Sequence, residues 1–402
     1  MDTLLRGKLK ADNGGSMVTN PSRGIENANG RLCFLVRGLD GGGAQRDAIL
    51  LANELQRNGI DTAIVTLQSS GPLNALISPD VPVIDLGDGT KIRLAFAGPA
   101  IRRLMVKGRP KGVVSAEAAP NALLAMASRF VPKASRPWII LREAASPVQA
   151  RLNDPYWQNR LAYRMAPKLY PMADVVMTLT EGARNDLIEQ FSVPRQKIVN
   201  LGTNAVITPA IRAEIDGSLR APEPGHIFSV GRLSPEKGFV TLIEAFALLR
   251  KQRPAKLTIV GEGSERPNLE AKIVELGVTS DVDLPGHHPH PIEALSRASL
   301  FVSSSSHEGL GNAIIEAMAC GIPVACTDAP HGPREILQGG ALGPLVPVGD
   351  AKELAGAMAD VLDKPTDINA LRERAMQFSV ERASQAFEDV LLKMRLPLRS
   401  NH

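Results

Sequence analysis

Cysteine is scarce in this 402-residue chain: only Cys33, Cys320 and Cys326 occur, each in an apolar or element-end context and none at metal-ligand spacing. That scarcity excludes a cysteine-built metal site and makes a reducing cytosol the simplest setting. Long apolar runs are missing too. No stretch reaches the roughly eighteen residues needed to span a bilayer. The polar, glycine-rich opening segment has no apolar core of the kind a secretion signal carries. Strong net charge is also lacking. A formal charge of +4 is small for this length, so a pI near 9.0 gives little support for a nucleic-acid partner. The expected location is cytoplasmic.

What is present is enough apolar content, 44%, to bury substantial cores, and a length that favours two domains over one. Residues 1–30 are rich in Asn, Gly and Ser and are expected to be disordered, since nothing there offsets the entropy of ordering. From Arg31 onward, short apolar runs alternate with helical patterns: Leu32 to Val36 then Ala44 to Asn58, and later Val175 to Leu179 then Gly182 to Phe191. Such a βα series implies a mostly parallel sheet covered on both faces. The periodicity lapses across 207–225, ending in Ala221-Pro-Glu-Pro-Gly225, and is expected to be a linker. A second βα series then runs from His226. The expected organisation is α/β, with one doubly wound domain over 31–206 and another over 226–375, facing a cleft. A last helix within 376–402 has no strand after it and is expected to pack back on the first domain.

Four motifs sit at strand ends, where open α/β sheets place their ligands. Glu308-Gly-Leu-Gly-Asn-Ala-Ile-Ile-Glu316 reads as a glycine loop opening a helix near Asn312. Backbone N–H groups at Gly309, Leu310, Gly311 and Asn312, with the helix dipole, suit an anion. Carboxylates are acceptor-only and suit hydroxyls. Together they suggest a ligand with phosphate and many hydroxyls, such as a nucleotide sugar; a solvated helix glutamate and a loop charge are the plainer alternative. Gly38-Leu-Asp-Gly-Gly-Gly-Ala-Gln45 brings three consecutive glycines, Gly41, Gly42 and Gly43, to another strand end, where backbone can approach a phosphate or sugar or simply turn tightly. Gly231-Arg-Leu-Ser-Pro-Glu-Lys-Gly238 is not a Walker loop but offers Arg232 and Lys237, a bidentate donor and a compact charge suited to a diphosphate. Val260-Gly-Glu-Gly263 is a turn whose Gly261 and Gly263 serve packing or a ligand equally well.

Taken together, these motifs with Glu316-Ala-Met-Ala-Cys-Gly-Ile-Pro-Val324 and Gly332-Pro-Arg-Glu335 resemble the retaining family 4 glycosyltransferases. The resemblance covers nearly the whole chain from Arg31 and is densest from Gly231 to Glu335. It implies a GT-B fold, with the donor on the second domain and the acceptor on the first. Arg232 and Lys237 would hold the donor diphosphate, Glu308 the donor sugar and Glu316 the ribose hydroxyls. It also implies a UDP-sugar donor, a glycan or lipid-linked acceptor, retained configuration and no catalytic metal or other cofactor. A nucleotide-sugar 2-epimerase-like GT-B enzyme is the alternative within the fold, though it would be expected to lack the paired glutamates. An inactive GT-B binding module is the other.

One departure stands out. Many relatives carry a histidine after the strand that here reads Gly112-Val-Val-Ser-Ala-Glu-Ala-Ala119, and Glu117 or Ser115 occupies its neighbourhood. Glu117 could polarise an acceptor hydroxyl or contact the sugar, and an exposed loop glutamate is the plainer alternative; Glu143, ending the next strand, is a second, weaker candidate for the cleft. His287, His288 and His290 lie in a Gly-Pro-rich loop with no completing ligand, so metal is disfavoured, and the resemblance places His287 near the nucleobase. Between Lys91 and Lys111 seven Lys or Arg and no acids are interleaved with Ile92, Leu94, Phe96, Ile101, Leu104, Met105 and Val106. That pattern suits either a solvated face or peripheral contact with the inner face of the cytoplasmic membrane.

Overall fold

The computed structural model describes residues 24–395 apart from 91, 155, 219–220 and 289–290. Seven parallel strands form the first sheet: β1 Leu32–Val36, β2 Thr62–Thr66, β3 Val83–Asp85, β4 Gly112–Ser115, β5 Trp138–Glu143, β6 Val175–Thr178 and β7 Ile198–Asn200. Their order is β3-β2-β1-β4-β5-β6-β7. The second sheet holds β8 His226–Val230, β9 Lys256–Val260, β10 Val282–Gly286, β11 Leu300–Ser303, β12 Val324–Thr327 and β13 Leu345–Val346, ordered β10-β9-β8-β11-β12-β13. All pairings are parallel, and central strands such as β1 and β11 are buried at every residue, as helices on both faces require. In each sheet the order reverses once, between β1 and β4 and between β8 and β11. The loops leaving those strands part there and open a crevice. This is a GT-B architecture of two Rossmann-like domains, with the two crevices opposed.

Several elements carry little periodic signal. The edge strands β3, β7, β10 and β13 are two to five residues long, and the first three mix polar with apolar residues. The stretch expected as a linker contains the helix Pro209–Ser218. It starts on a proline, the Thr208 hydroxyl accepts the Ile211 amide at 3.1 Å, and Ile211 and Ile215 dock in the second domain's core. Two apolar residues among Glu214, Asp216 and Gly217 are too few to show as a pattern. Within the expected disordered segment, Ile25–Ala28 forms a 3-10 turn with Ala28 fully buried. It sits against the π-helical turn Leu104–Gly108, where a Cβ on Gly108 would come within 2.9 Å of Ile25. The remainder of that expectation, residues 1–23, lies outside the described residues.

The basic stretch after residue 91 folds as a short 3-10 turn, the helix Ala97–Arg103 and the same π-helical turn. Ile101, Leu104 and Met105 are fully buried in the first core, so these apolar positions serve packing rather than lipid, while Arg102, Arg103 and Lys107 are solvated. Among the described residues no helix is long and apolar enough to cross a membrane.

At its C-terminal end the chain passes from the second domain to the first. Ser379 bridges Ile207, and the helix Val380–Lys393 then buries Val380, Ala383, Phe387, Val390 and Leu391 in a core shared with Phe34, Ile49 and Leu55. The Phe387 and Phe34 rings lie 6.0 Å apart. Phe387→Ala is expected to cost the first domain about 3–5 kcal/mol, read as a lower urea midpoint at unchanged slope. A loss under about 1 kcal/mol would mean this helix adds little to the core.

Candidate active site

Two helix starts face each other across the cleft. On the first domain the loop after β1 reaches Gly41, at φ +112°, and the helix Gly43–Arg57 begins. On the second, the loop after β11 ends at Gly311, at φ +108°, and the helix Asn312–Ala319 begins. Both positive φ values favour glycine. Between them lies a cavity of about 560 Å³. Gly42, Gly43, Arg46 and Asp47 line one side; Gly231, Arg232, Lys237, Glu308 to Asn312 and Glu316 line the other. Ten of the residues expected to contact the donor therefore meet at one cavity.

Lys237 and Glu308 form its charged centre. Lys237 Nζ donates to Glu308 Oε1 at 2.6 Å, and the Ser305 hydroxyl donates to the same oxygen at 2.7 Å. Burial pushes the Glu308 carboxyl up, but the Lys237 charge and these hydrogen bonds outweigh it and hold the group below its ordinary value. The two loops are stapled together. Ser304 Oγ donates to the Lys237 carbonyl at 2.8 Å, the Ser306 amide donates to the Glu236 carbonyl at 2.8 Å, and a Cβ on Gly238 would lie 2.1 Å from the Ser304 carbonyl oxygen. Only glycine at 238 allows that approach. Arg232 is exposed, and among the described residues its guanidinium has no ion pair or hydrogen bond.

Glu316 points at the first domain and accepts from Arg46 Nη1 at 3.1 Å. Burial is the largest influence and raises the Glu316 carboxyl, with the Arg46 charge opposing. Beside it, Asp47 accepts from Asn204 Nδ2 at 2.6 Å and from Asn312 Nδ2 at 3.2 Å. Arg142, 1% exposed, donates to Asn204 Oδ1 behind them. Burial raises the Asp47 carboxyl and lowers the Arg142 guanidinium, each opposed by the other's charge. Arg46, Asp47, Asn204 and Arg142 escaped the sequence reading. Their available signal was a pair of charges, Arg46-Asp47, just after the glycines and directly before the apolar run Ala48 to Ala52.

A second cavity of about 450 Å³ adjoins the first on the side of the first domain, and Gly42, Gly43, Arg232, Glu236 and His307 line both. Gly41 and Glu117 belong to this cavity alone. Glu117 accepts the Arg37 amide at 3.0 Å and Gln45 Nε2 at 3.4 Å, and burial raises its carboxyl. Glu143 forms part of the floor. Its oxygens already accept from the Tyr163 and Tyr170 hydroxyls at 2.7 and 2.8 Å and from the Ala145 amide at 3.1 Å, so it is committed to the fold.

Three expected donor contacts lie elsewhere. A Cβ on Gly261 would sit 1.8 Å from the Gly231 carbonyl oxygen, and one on Gly263 would sit 2.1 Å from that of Leu233. These glycines press on the Arg232 loop from behind instead of lining the cavity. His287 is exposed at the end of β10, outside both cavities, and His290 lies outside the described residues. No group of three metal-capable side chains gathers among the described residues.

Comparison with known proteins places this geometry. The family described as glycosyl transferase 4-like domain matches residues 42–202, and glycosyl transferases group 1 matches 211–378. The chain is 29% identical to the lipopolysaccharide core biosynthesis glycosyltransferase LpsE of Rhizobium meliloti over 87% of this chain and 96% of that protein. It is 28% identical, over 64% of this chain and 68% of the relative, to the N-acetylgalactosamine-N,N'-diacetylbacillosaminyl-diphospho-undecaprenol 4-alpha-N-acetylgalactosaminyltransferase of Campylobacter jejuni. Anabaena HepE, solved with UDP and glucose, superposes with a TM-score of 0.72 over 90% of this chain and 100% of its own, at 20% identity. Matched in both of its domains, the chain belongs to the family 4-like, group 1 glycosyltransferases and is a transferase enzyme of the GT-B fold.

Proposed function

We propose that the chain transfers a sugar from a nucleotide diphosphate sugar, a UDP-sugar, to a glycan or lipid-linked acceptor with retention of configuration, in cell-surface polysaccharide biosynthesis. The observation that carries this reading is the pairing of Lys237 with Glu308 beside the unpartnered Arg232, with Glu316 at the far wall of the same cavity. The donor diphosphate would lie along Lys237 and Arg232, against the N-terminus of the helix Asn312–Ala319. Lys237, held by Glu308, together with Arg232 and that dipole would neutralise the departing diphosphate without a metal. Glu308 is anionic and accepts hydroxyls of the donor sugar. Glu316 accepts ribose hydroxyls.

The acceptor would enter from the second cavity, where Arg232 and His307 form the shared rim. Arg232, proposed to hold the diphosphate, borders the second cavity, so an acceptor hydroxyl entering there would approach beside the leaving group, in keeping with the same-face attack and retention that the family resemblance implies. Glu117 is placed to accept a hydrogen bond from the acceptor, and the burial that raises its pKa makes it a better base. Names of relatives support the acceptor class: one acts in lipopolysaccharide core biosynthesis, another on a diphospho-undecaprenol. Work at such an acceptor would bring the enzyme to the inner face of the cytoplasmic membrane.

A thermal-shift screen against UDP-, GDP-, ADP- and dTDP-sugars tests the donor assignment, with UDP-sugars expected to raise the melting temperature. No shift from any of them would overturn it. Lys237→Ala is expected to lower kcat by roughly 10²–10³-fold; unchanged turnover would remove its role. For Glu316→Ala the expected change is a loss of about tenfold to a hundredfold in UDP affinity by calorimetry, the scale of hydrogen bonds to a charged acceptor. Equal affinity in both proteins would sink the ribose assignment.

A further inference from the structure

We propose that the second cavity takes a positively charged acceptor, a sugar ring carrying a protonated free amine, with Glu117 and Gln45 holding the ammonium. This rests on the transferase reading above and names the class of its acceptor. Five carboxylates line the cavity, Asp40, Glu117, Glu143, Asp154 and Glu236, against two arginines, Arg37 and Arg232. Glu143 is committed to its two tyrosines. The other four are hydrogen-bonded only to neutral groups. Asp40 accepts from Gln68 Nε2 at 3.0 Å, Glu117 from the Arg37 amide and Gln45, Asp154 from the Tyr156 amide at 2.8 Å and Asn159 Nδ2 at 3.1 Å, and Glu236 from the Ser234 hydroxyl at 2.6 Å. Among the described residues none of the four has an ion pair. The Arg37 guanidinium lies over the Tyr156 ring, 5.8 Å from its centre, and Arg232 faces the donor cavity as well. Like charges around one recess are costly until a cation joins them.

A separate observation points to the same ligand. Gln45, only 9% exposed, lines the cavity, and its Nε2 donates to both Glu117 oxygens at 3.4 Å. Its Oε1 is buried without a hydrogen-bond partner. A buried acceptor left unmade is destabilising, so the missing partner is a donor. An ammonium brings three donors, no acceptor and the absent counter-charge, whereas a hydroxyl brings one donor and no charge. Burial raises the Glu117 carboxyl more than its hydrogen bonds and the Arg37 charge lower it, and an ammonium beside it would bring it down. No group of three metal-capable side chains gathers among the described residues, so these carboxylates are spread for an organic cation rather than a metal ion. The ring follows from the surroundings. Tyr156, 47% exposed just before the helix Trp157–Leu169, offers an aromatic face, and the rim of Arg232, Glu236 and His307 opens on the donor cavity, where a hydroxyl of the same ring would be presented.

The test titrates the full chain, with UDP present, with glucosamine, glucose, N-acetylglucosamine, glucuronate and spermidine, using saturation-transfer NMR at constant ionic strength and a pH at which the amine is protonated. Glucosamine is expected to bind at least about tenfold tighter than glucose or N-acetylglucosamine, the scale of a hydrogen bond to a charged group, and glucuronate most weakly of all. Glu117→Gln keeps the shape of the side chain and should bring glucosamine to within about threefold of glucose, while stabilisation by UDP-sugars is unchanged. Asp40→Asn, at an exposed position, should weaken glucosamine roughly twofold, as loss of an exposed ion pair does, and leave glucose as it was. Three results would overturn the proposal: glucose bound as tightly as glucosamine, spermidine bound as tightly as glucosamine, or a preference for glucosamine that survives in both variants. UDP-sugar stabilisation with no binding of any sugar would reject the cavity assignment and leave the donor site standing. A Glu117-dependent preference for glucosamine without any nucleotide-sugar effect would uphold the cavity and reject the transferase reading.

Discussion

Arg46 and Glu316 meet across the cleft at 3.1 Å, one from each domain, and beside them Asp47 is hydrogen-bonded to Asn312 of the opposite domain. These groups are buried or half-buried; Glu316 has its charge partner, Arg46, across the cleft, whereas Asp47 also accepts from Asn204 of its own domain. Removing one member strands the other, at a cost on the order of 3–5 kcal/mol for a fully buried pair. The same contacts place the two helix starts on either side of the cavity. A second set lies further out, where Glu335 accepts the Glu181 and Gly182 amides at 3.1 and 3.0 Å and so caps a helix of the first domain from the second. His331, at φ +79°, bonds Asp186 nearby at 2.9 Å. Closure in this enzyme is therefore polar, specific in geometry and open to competition by a ligand with its own phosphates and hydroxyls.

Glycine makes the approach possible. A Cβ on Gly309 would lie 1.9 Å from the Ala144 carbonyl oxygen of the first domain. Any side chain there would hold the Glu308 loop off the end of β5, and Glu308 would lose its place opposite Lys237. The chemistry and the packing share one loop: the residue before this contact carries the carboxylate, and the helix three residues after it carries the dipole.

The sequence made the strand ends legible because each couples an apolar run to glycines and charges, which is why Gly42, Gly43, Arg232, Lys237, Glu308 to Asn312 and Glu316 are found at one cavity. It could not separate glycines that line a site from glycines that support one: a Cβ at Gly261 or Gly263 would meet the backbone of Gly231 or Leu233, whereas one at Gly231 would meet the Lys237 and Phe239 side chains. Asp47, Asn204 and Arg142 were hidden for another reason. Their meaning comes from partners 157 and 62 residues away, a separation no local pattern carries. Helix Pro209–Ser218 and the edge strands were missed because two apolar contacts suffice to dock them. Trp157, Leu161 and Met165 show ordinary helical spacing, and only the fold reveals that this stripe is uncovered.

A crystal structure of the chain with UDP tests the central claim most directly. The account predicts diphosphate oxygens within hydrogen-bonding distance of Lys237 Nζ and the Arg232 guanidinium, and ribose hydroxyls on Glu316. A diphosphate seated against Gly41 to Gly43 in the second cavity, or a Glu316 carboxylate engaged with Arg46 alone while the nucleotide lies elsewhere, would contradict it.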